Sequence, residues 1–510
     1  MSVNSTNKQY DANLKLWQKV RDCVEGSNAV KSRSAGSSAA SPSSLYGMAG
    51  ARYLPPPNPD DQSSENKSRF MAYRDRANYV NFTGATSEGM LGMVFRKKMD
   101  IRLPTAIEYL EDNATGGGLS MDQLAQSLTK NLLETGRMGI LTEYPEATDG
   151  LTVRDVNDLG LAANLIPYTA ENIINWRTTK IGSSNVLSLV VLQEEIEEVE
   201  ADGFASECKK QYRVLTLEDG LYVVRLFDDS GFNITNNLTV DGARLDFILP
   251  RRFDGSYWSE IPFTFIGAVN NDAVVDKSPL YDIAEVNLSH YRNSADFEES
   301  SFLVGQPTPV LSGLTQSWVD ENMSDGVHIG SRAAILLPDG GSGSLLQANE
   351  NQMPSKGMEL KEKQLTMIGA RLIQDAGGQE TVDAAKMRYA GQNSKLGTIA
   401  ANVDDGLETA CGFALKYMAN PTDADIEAIE VDTNKEFYEA KLDPQEVMAD
   451  IQLLDRGIVA KSDIQDKLRR AGKVLRDNEE IDADAESASP LETVSDRVMD
   501  RTINEMSNLA

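Results

Sequence analysis

Between Ser278 and Met418 the chain repeats a helical period and breaks it twice, each time differently, and no other stretch constrains the fold as much. Ser278-Pro279 predicts a helix start, with a serine cap and proline at the first helical position. Leu280, Ala284, Leu288, Tyr291 and Ala295 then recur at spacings of three and four and define one apolar face, as far as about Leu303. Gly305, Pro307 and Pro309 end it. From Thr308 to Ala348 the pattern is short strands and turns, including Ala333 to Leu337. Helix resumes from about Lys356 to Gln374 and stops at the polar loop Asp375-Ala376-Gly377-Gly378-Gln379-Glu380-Thr381. A third helix is predicted from Thr381 to Met418 on Leu396, Ile399, Val403, Leu407, Ala410 and Ala414. At 1.5 Å per residue it is about 55 Å long. Long helices around a polar glycine loop describe a mechanical element rather than an active site.

The rest of the chain carries no catalytic signature either. Its 510 residues imply about three domains or subdomains, and 41% hydrophobic content is enough for several cores. No apolar run approaches the roughly 20 residues that span a bilayer, and the segment from Met1 to Gly26 lacks the apolar centre of a signal peptide. Three scattered cysteines, Cys23, Cys208 and Cys411, predict no disulfide framework and a reducing compartment. The two histidines, His290 and His328, have no second His or Cys at ligand spacing, so no metal is expected and His290 reads as a helix-surface residue.

The acidic cluster Glu194, Glu195, Glu197, Glu198, Glu200 and Asp202 lacks EF-hand spacing and reads as a solvated strand edge or loop. Gly340-Gly341-Ser342-Gly343 lacks the Lys-Ser/Thr of a phosphate cradle and reads as a turn. Asp296, Glu298 and Glu299 read as solvated helix surface. No Gly-x-Ser-x-Gly elbow, Cys-His pairing or complete P-loop occurs. The expectation is therefore no catalytic residue, no cofactor, no metal and no enzyme. A net charge of -29 argues against tight nucleic-acid binding, though not against a polymer of like charge passing by.

Residues 1–66 are polar, with a low-complexity run from Ser34 to Ser44 and prolines at 55–57 and 59. They predict an irregular arm with one short helix near Leu14 to Val24. Lys67 to Val94 reads as one helix. Met121 to Thr135 reads as another, capped by Ser120 and ended by Gly136, before a strand over Gly139 to Tyr144. From Asn164 to Phe265 the period becomes two, with strands at 187–193, 211–217, 221–227 and 263–266 and a hairpin turn at Glu218-Asp219-Gly220. A strand is expected over Ile426 to Val431, helices over 444–457 and 462–475, and an acidic tail beyond Arg476.

Seven segments in order carry a resemblance: Tyr79 to Lys97, Leu133 to Leu141, Tyr168 to Arg177, Ile261 to Ala268, Pro279-Leu280 with Leu288 to Phe297, Gly305 to Val310, and Gly377 to Thr381. Over Arg69 to Val474 the chain resembles the portal proteins of tailed bacteriophages, in a subfamily that often carries only an uncharacterised-domain label. The N-terminal arm, the insert from Leu311 to Ala348 and the acidic tail match poorly. The resemblance implies an α+β portal fold: a wing over 67–278 and 387–440, stem helices over 279–303 and 354–375, a β-rich clip over 304–353, a tunnel loop over 376–386, crown helices over 441–476 and a tail over 477–510. It implies a ring of about twelve copies at one capsid vertex, the channel for packaging and ejecting double-stranded DNA. Implied partners are the major capsid and scaffolding proteins, the large terminase and a head–tail adaptor. The implied location is the virion, with assembly in the host bacterial cytoplasm. Gly377, Gly378, Gln379, Glu380 and Thr381 would line the narrowest point, with Arg371, Lys386 and Arg388 as basic residues near the DNA. The alternative is another virion structural protein, or a tail-fibre-like binding protein, for which a trimer rather than a ring is expected.

Overall fold

The computed structural model describes residues 2–435, apart from 36–43, 146–159, 200–203, 205, 236–238, 241–242, 245, 307, 323–335, 348, 350 and 370–381, together with residue 453. Two compact units divide the chain, Met1–Ala385 with Ser394–Lys435, and Lys386–Asn393 with Glu436–Ala510. Nearly all of the described residues belong to the first unit.

The N-terminal residues form more than the short helix expected of them. Helix α1 (Lys8–Glu25) is capped by Asn7, whose side chain accepts from the Gln9 N–H, and ends at Gly26 with φ 104°. It buries Tyr10, Trp17, Val20 and Cys23; α2 (Ser27–Ser32) follows. These apolar residues are few, but their spacing puts them on one side, so a polar composition hides a core helix. The single helix expected over 67–94 is two, α3 (Ser64–Arg76) and α4 (Phe82–Val94). Asn81 makes the break. Its Oδ1 accepts from the Gly84 N–H at 2.8 Å and its Nδ2 donates to the Val24 carbonyl at 2.8 Å, tying the start of α4 to the end of α1.

Strand β1 (Asp100–Arg102) precedes α5 (Met121–Thr135). The start of α5 is a capping box between Ser120 and Gln123, and Gly136 ends it at φ 78°. The chain then forms β2 (Arg137–Glu143) and β3 (Asn164–Thr169). Next comes an antiparallel meander of β4 (Ile173–Ile181), β5 (Ser184–Val199), β6 (Ser206–Glu218) and β7 (Leu221–Asp228). Asp219 and Gly220, at φ 50° and 78°, make the expected β6–β7 turn. A small pair, β8 (Thr239–Val240) and β9 (Ala243–Arg244), leads to β10 (Phe263–Gly267), which completes a sheet in the order β10-β2-β3.

Beyond it lie α6 (Tyr281–Val304), β11 (Thr308–Ser312), α7 (Gln316–Asn322), β12 (Ser342–Leu346), α8 (Met353–Ile368), α9 (Val382–Met418) and α10 (Asp423–Glu427). Strand β13 (Glu430–Asp432) pairs antiparallel with β1. Ile426 therefore belongs to α10, and the strand expected from that residue begins four residues later. The class is α+β, as expected.

One core joins α1, α4, α5, α6 and the β10-β2-β3 sheet to α9, through fully buried Val20, Leu132, Ile140, Ile266, Leu288, Val403 and Leu407. The expected apolar face of α9 is buried throughout its described length. A Cβ on Gly406 would stand 2.7 Å from both Cδ1 and Cγ1 of Ile266. This glycine lets α9 approach β10 within the chain.

Candidate functional site: a helical hairpin with a β-tip

Helix α6 begins at Tyr281, two residues later than the sequence suggested. Ser278 does not cap it: its hydroxyl donates to the Leu133 carbonyl at 3.2 Å and its own carbonyl receives the Tyr281 N–H at 3.2 Å. The face named from sequence is correct, since Leu280, Ala284, Leu288, Tyr291 and Ala295 are all fully buried. Asn287, also fully buried, fixes the helix. Its Oδ1 accepts from the Tyr79 hydroxyl and from both donors of Thr83, and its Nδ2 donates to the Val80 carbonyl. Ser294 Oγ accepts from the Asn78 N–H at 2.9 Å.

Past Ala295 no residue of α6 is buried, although contacts to α3 continue along one side. The Tyr73 hydroxyl donates to Asp296 at 2.6 Å, Glu299 pairs with Arg76, and the Arg76 guanidinium lies 4.2 Å from the Phe302 ring centre. Burial, then the bond to Asp296, raises the Tyr73 hydroxyl well above its ordinary range. Glu299 is thus no solvated acid but part of the seam that fastens α6 to α3.

Helix α8 returns antiparallel along α6. Ile283 meets Gly369, His290 meets Glu362 and Asn293 meets Gly357. The His290 Nε2–Glu362 Oε1 distance is 3.3 Å, and a Cβ on Gly357 would stand 2.1 Å from Asn293 Nδ2. His290, expected on the surface, is buried in this seam with the Phe82 ring edge-on at 5.4 Å. Further out, Gln347 Nε2 donates to the Val304 carbonyl at 3.1 Å, and β11 pairs with β12 from Thr308/Leu346 to Ser312/Ser342. The helix pair passes directly into a β-ribbon. The expected turn is present before β12, where the Gly341 N–H donates to the Pro338 carbonyl at 2.8 Å and Gly340 sits at φ 83°.

The outer faces of this hairpin carry exposed apolar side chains among charged ones. Leu365 is the sole buried residue within α8, while Met353, Leu360 and Met367 are 74%, 58% and 69% exposed; in the ribbon Leu345 and Leu346 are 61% and 68% exposed.

The tunnel-loop residues Gly377, Gly378, Gln379, Glu380 and Thr381, and Arg371, lie outside the described residues. So do the side chains of Lys386 and Arg388, the crown helices and the acidic tail. Cations that sequence reasoning passed over lie on α8: Lys356 and Lys363 are exposed, and half-buried Lys361 is lowered in pKa by burial and by the nearby Arg292 charge. Their spacing in the sequence was the available signal.

The acidic cluster divides. Glu195, Glu197 and Glu198 are exposed as expected, on the part of β5 that runs past the end of β4 and pairs with β6. Glu194 is taken inward, accepting from Tyr168 at 2.6 Å, Gln211 at 2.7 Å and Arg213 at 2.6 Å, and Arg213 also reaches Glu143 at 2.8 Å. Burial would push the Glu194 carboxyl up; Arg213 and the donated bonds outweigh it and hold it below its ordinary range. Among the described residues no group of three His, Cys, Asp or Glu is placed to hold a metal, and no helix is long and apolar enough to cross a membrane.

Residues 279–418 match a family described as a domain of unknown function, DUF4055. The match starts just before α6 and ends with the last residue of α9, so it takes in the hairpin, its tip and the long helix together. No curated protein matches. Among solved structures, a chain from the virion of a native gene transfer agent particle is similar at 13% identity, covering 76% of this chain and 89% of that one, with a TM-score of 0.36. A chain from the neck of the empty particle, computed with C6 symmetry, gives 12%, 76%, 89% and 0.36. One from the neck of the native particle, computed with C12 symmetry, gives 13%, 75%, 88% and 0.36. At that TM-score the likeness carries no argument.

Proposed function

We propose that this chain is the portal subunit of a tailed bacteriophage, one of about twelve copies in a ring through which double-stranded DNA enters and leaves the capsid. The observation that carries the reading is the α6–α8 hairpin, which leaves the core with apolar side chains facing out on α8 and on the ribbon. A lone soluble subunit gains nothing by exposing Leu360, Met367, Leu345 and Leu346 together. In a closed ring, one face of each copy meets a different face of the next, and such contacts would cover them. The ordered series of portal-like segments supports the same reading, as does the family match over this same element.

In this reading α6 and α8 form the stem, and 304–353 the clip, which meets the large terminase and then a head–tail adaptor. The loop over 376–386 stands at the narrowest point. At -29 per chain, twelve copies carry about -350, so the ring repels phosphate at long range and grips DNA without sequence preference. Exposed Lys356 and Lys363 join Arg371, Lys386 and Arg388 as the cations available to it.

Mass photometry of purified protein tests the proposal. Twelve copies of 55.8 kDa give a particle of about 670 kDa. A stable trimer would favour the fibre-like alternative, and a monomer at micromolar concentration would overturn both. Leu360→Glu with Met367→Glu should abolish the large particle while leaving the far-ultraviolet spectrum of the subunit unchanged. Replacing Gly377 and Gly378 together by alanine should leave rings intact and reduce DNA packaging by a complete motor. Normal packaging by such rings would remove loop mobility from the mechanism.

A further inference from the structure

Strand β5 is longer than either of its partners and overhangs the four-stranded meander at both ends. Toward its start, β6 leaves it at Leu189, opposite Thr216, so 184–188 pair with β4 alone. Toward its end, β4 leaves it at Leu192, opposite Ile173, and β7 leaves β6 at Gln211, opposite Asp228. There 195–199 pair with 206–210 of β6 alone. The meander thus ends in a two-stranded ribbon on either side. Val186 and Glu197, near the middle of the two ribbons, stand roughly 35 Å apart along the strand.

The ribbons differ in charge. From Arg177 to Ser188 the chain has two cations, Arg177 and Lys180, both exposed, and no acid, although its net charge is -29. The other ribbon exposes Glu195, Glu197, Glu198 and Glu207 against Lys209 and Lys210, and Glu198 already engages Lys209. Each ribbon also holds one isoleucine in solvent, Ile181 in the first and Ile196 in the second. Short two-stranded ribbons are marginal in water unless something lies against them. Among the described residues no backbone bond reaches the free edge of β5 at 184–188 or at 195–199. The strand order β4-β5-β6-β7 puts the first of these edges on the side of β6 and the second on the side of β4. The two free edges therefore face opposite ways.

We propose that the acidic ribbon of one copy lies against the basic ribbon of the next, with 195–199 of one β5 beside 184–188 of the other. This rests on the ring proposed above and names a contact that closes it. Neighbours in a twelve-fold ring differ by a rotation of about 30°, so successive β5 strands keep nearly the same direction. Under so small a rotation, edges that face opposite ways within one copy face each other between copies. The two strands then pair in parallel by edge addition, and the meanders join into one belt. Arg177 and Lys180 lie one strand further in, where long side chains meet Glu195, Glu197 and Glu198 across the joint. Opposite charges in such positions stabilise a sheet, and like charges destabilise it.

Reversing one ribbon at a time tests the contact. Glu195→Lys with Glu197→Lys makes both ribbons positive, and Arg177→Glu with Lys180→Glu makes both negative. All four side chains are exposed, so the subunit keeps its fold. In mass photometry each variant alone should give at least about tenfold fewer rings than the wild type. Mixed in equal amounts, the two should recover rings in which they alternate. A chain carrying all four changes should assemble by itself and exclude wild-type subunits. Rings from either variant alone at the wild-type level would overturn the contact and leave the ring standing. So would a mixture that stays unassembled, which also covers a variant that fails to fold. A wild-type chain that forms no ring would overturn the ring reading and this contact with it.

Discussion

The side-chain oxygen of Asn287 receives both the backbone N–H and the hydroxyl of Thr83, at 3.1 and 2.9 Å. That one atom anchors the outgoing limb of the hairpin to the first turn of α4. With the Nδ2 bond to Val80 at 2.8 Å, it makes the inner half of α6 rigid before the helix leaves the core. Asn287→Ala removes these bonds and leaves buried donors and an acceptor without partners. The expected loss is about 2–4 kcal/mol, read as a lower urea midpoint at unchanged slope. A loss under 0.5 kcal/mol would show that the cluster does not hold α6.

Arg137 calls for a different test. Its guanidinium lies between the Trp176 and Phe265 rings, 4.1 and 4.0 Å from their centres, and donates one bond, to the Ala273 carbonyl at 3.0 Å. Among the described residues Nε and Nη2 have no hydrogen-bond partner, and burial lowers the group's basicity against the pull of Asp272 and Asp276. Lysine cannot stack as a planar cation here, so Arg137→Lys should cost about 2–3 kcal/mol. Arg137→Met, which fills the slot without a charge or stray N–H groups, should cost less. Thermal melts giving the reverse order would mean that the charge, not the stacking, matters.

Contact between Gly406 and Ile266 predicts a coupled pair. In an open helix Gly→Ala gains about 1 kcal/mol. Here the new methyl meets Ile266 at 2.7 Å, and overpacking of about 1–3 kcal/mol should win. In a double-mutant cycle, Ile266→Ala should recover at least about 1 kcal/mol of the Gly406→Ala loss. Additive effects would place the strain elsewhere.

Alkylation should separate the cysteines. Cys23 and Cys411 are buried, and burial pushes each thiol up to about 12, so at pH 8 the thiolate is on the order of one part in ten thousand. Cys208 is exposed on β6. Iodoacetamide should add one group per native chain, on Cys208, and three in urea. Fast labelling of Cys23 without denaturant would show that α1 opens from the core.

What the sequence discloses depends on whether local or distant contacts decide an element. α5 is legible to the residue because its cap, its face and its terminal glycine all lie within the segment. The buried face of α6 is legible for the same reason. The break at Asn81 is not, because the carbonyl that completes it belongs to Val24. β3 is obscured by Pro167, which argues against a strand but fits the edge position it takes beside β2. Glu194 and His290 are typical surface residues by type, and only their partners, Arg213 and Glu362, reveal them as interior. The hairpin and its turn were legible; the uncovered state of Leu360 and Met367 was not, since periodicity says which residues share a face and not what lies against it.

The residue pairs 283/369, 290/362, 293/357 and 308/346 run antiparallel from the buried root to the ribbon, each limb matched to the other within a few residues. Length in this element is therefore a property of two strips of chain at once. A turn deleted from α6 alone would slide every pair beyond it and bring Leu345 opposite the wrong partner. Viable change of reach requires matched gains or losses in both limbs. Natural variants of this protein should differ in hairpin length by paired steps, so that the tip moves outward or inward while the zipper beneath it stays aligned.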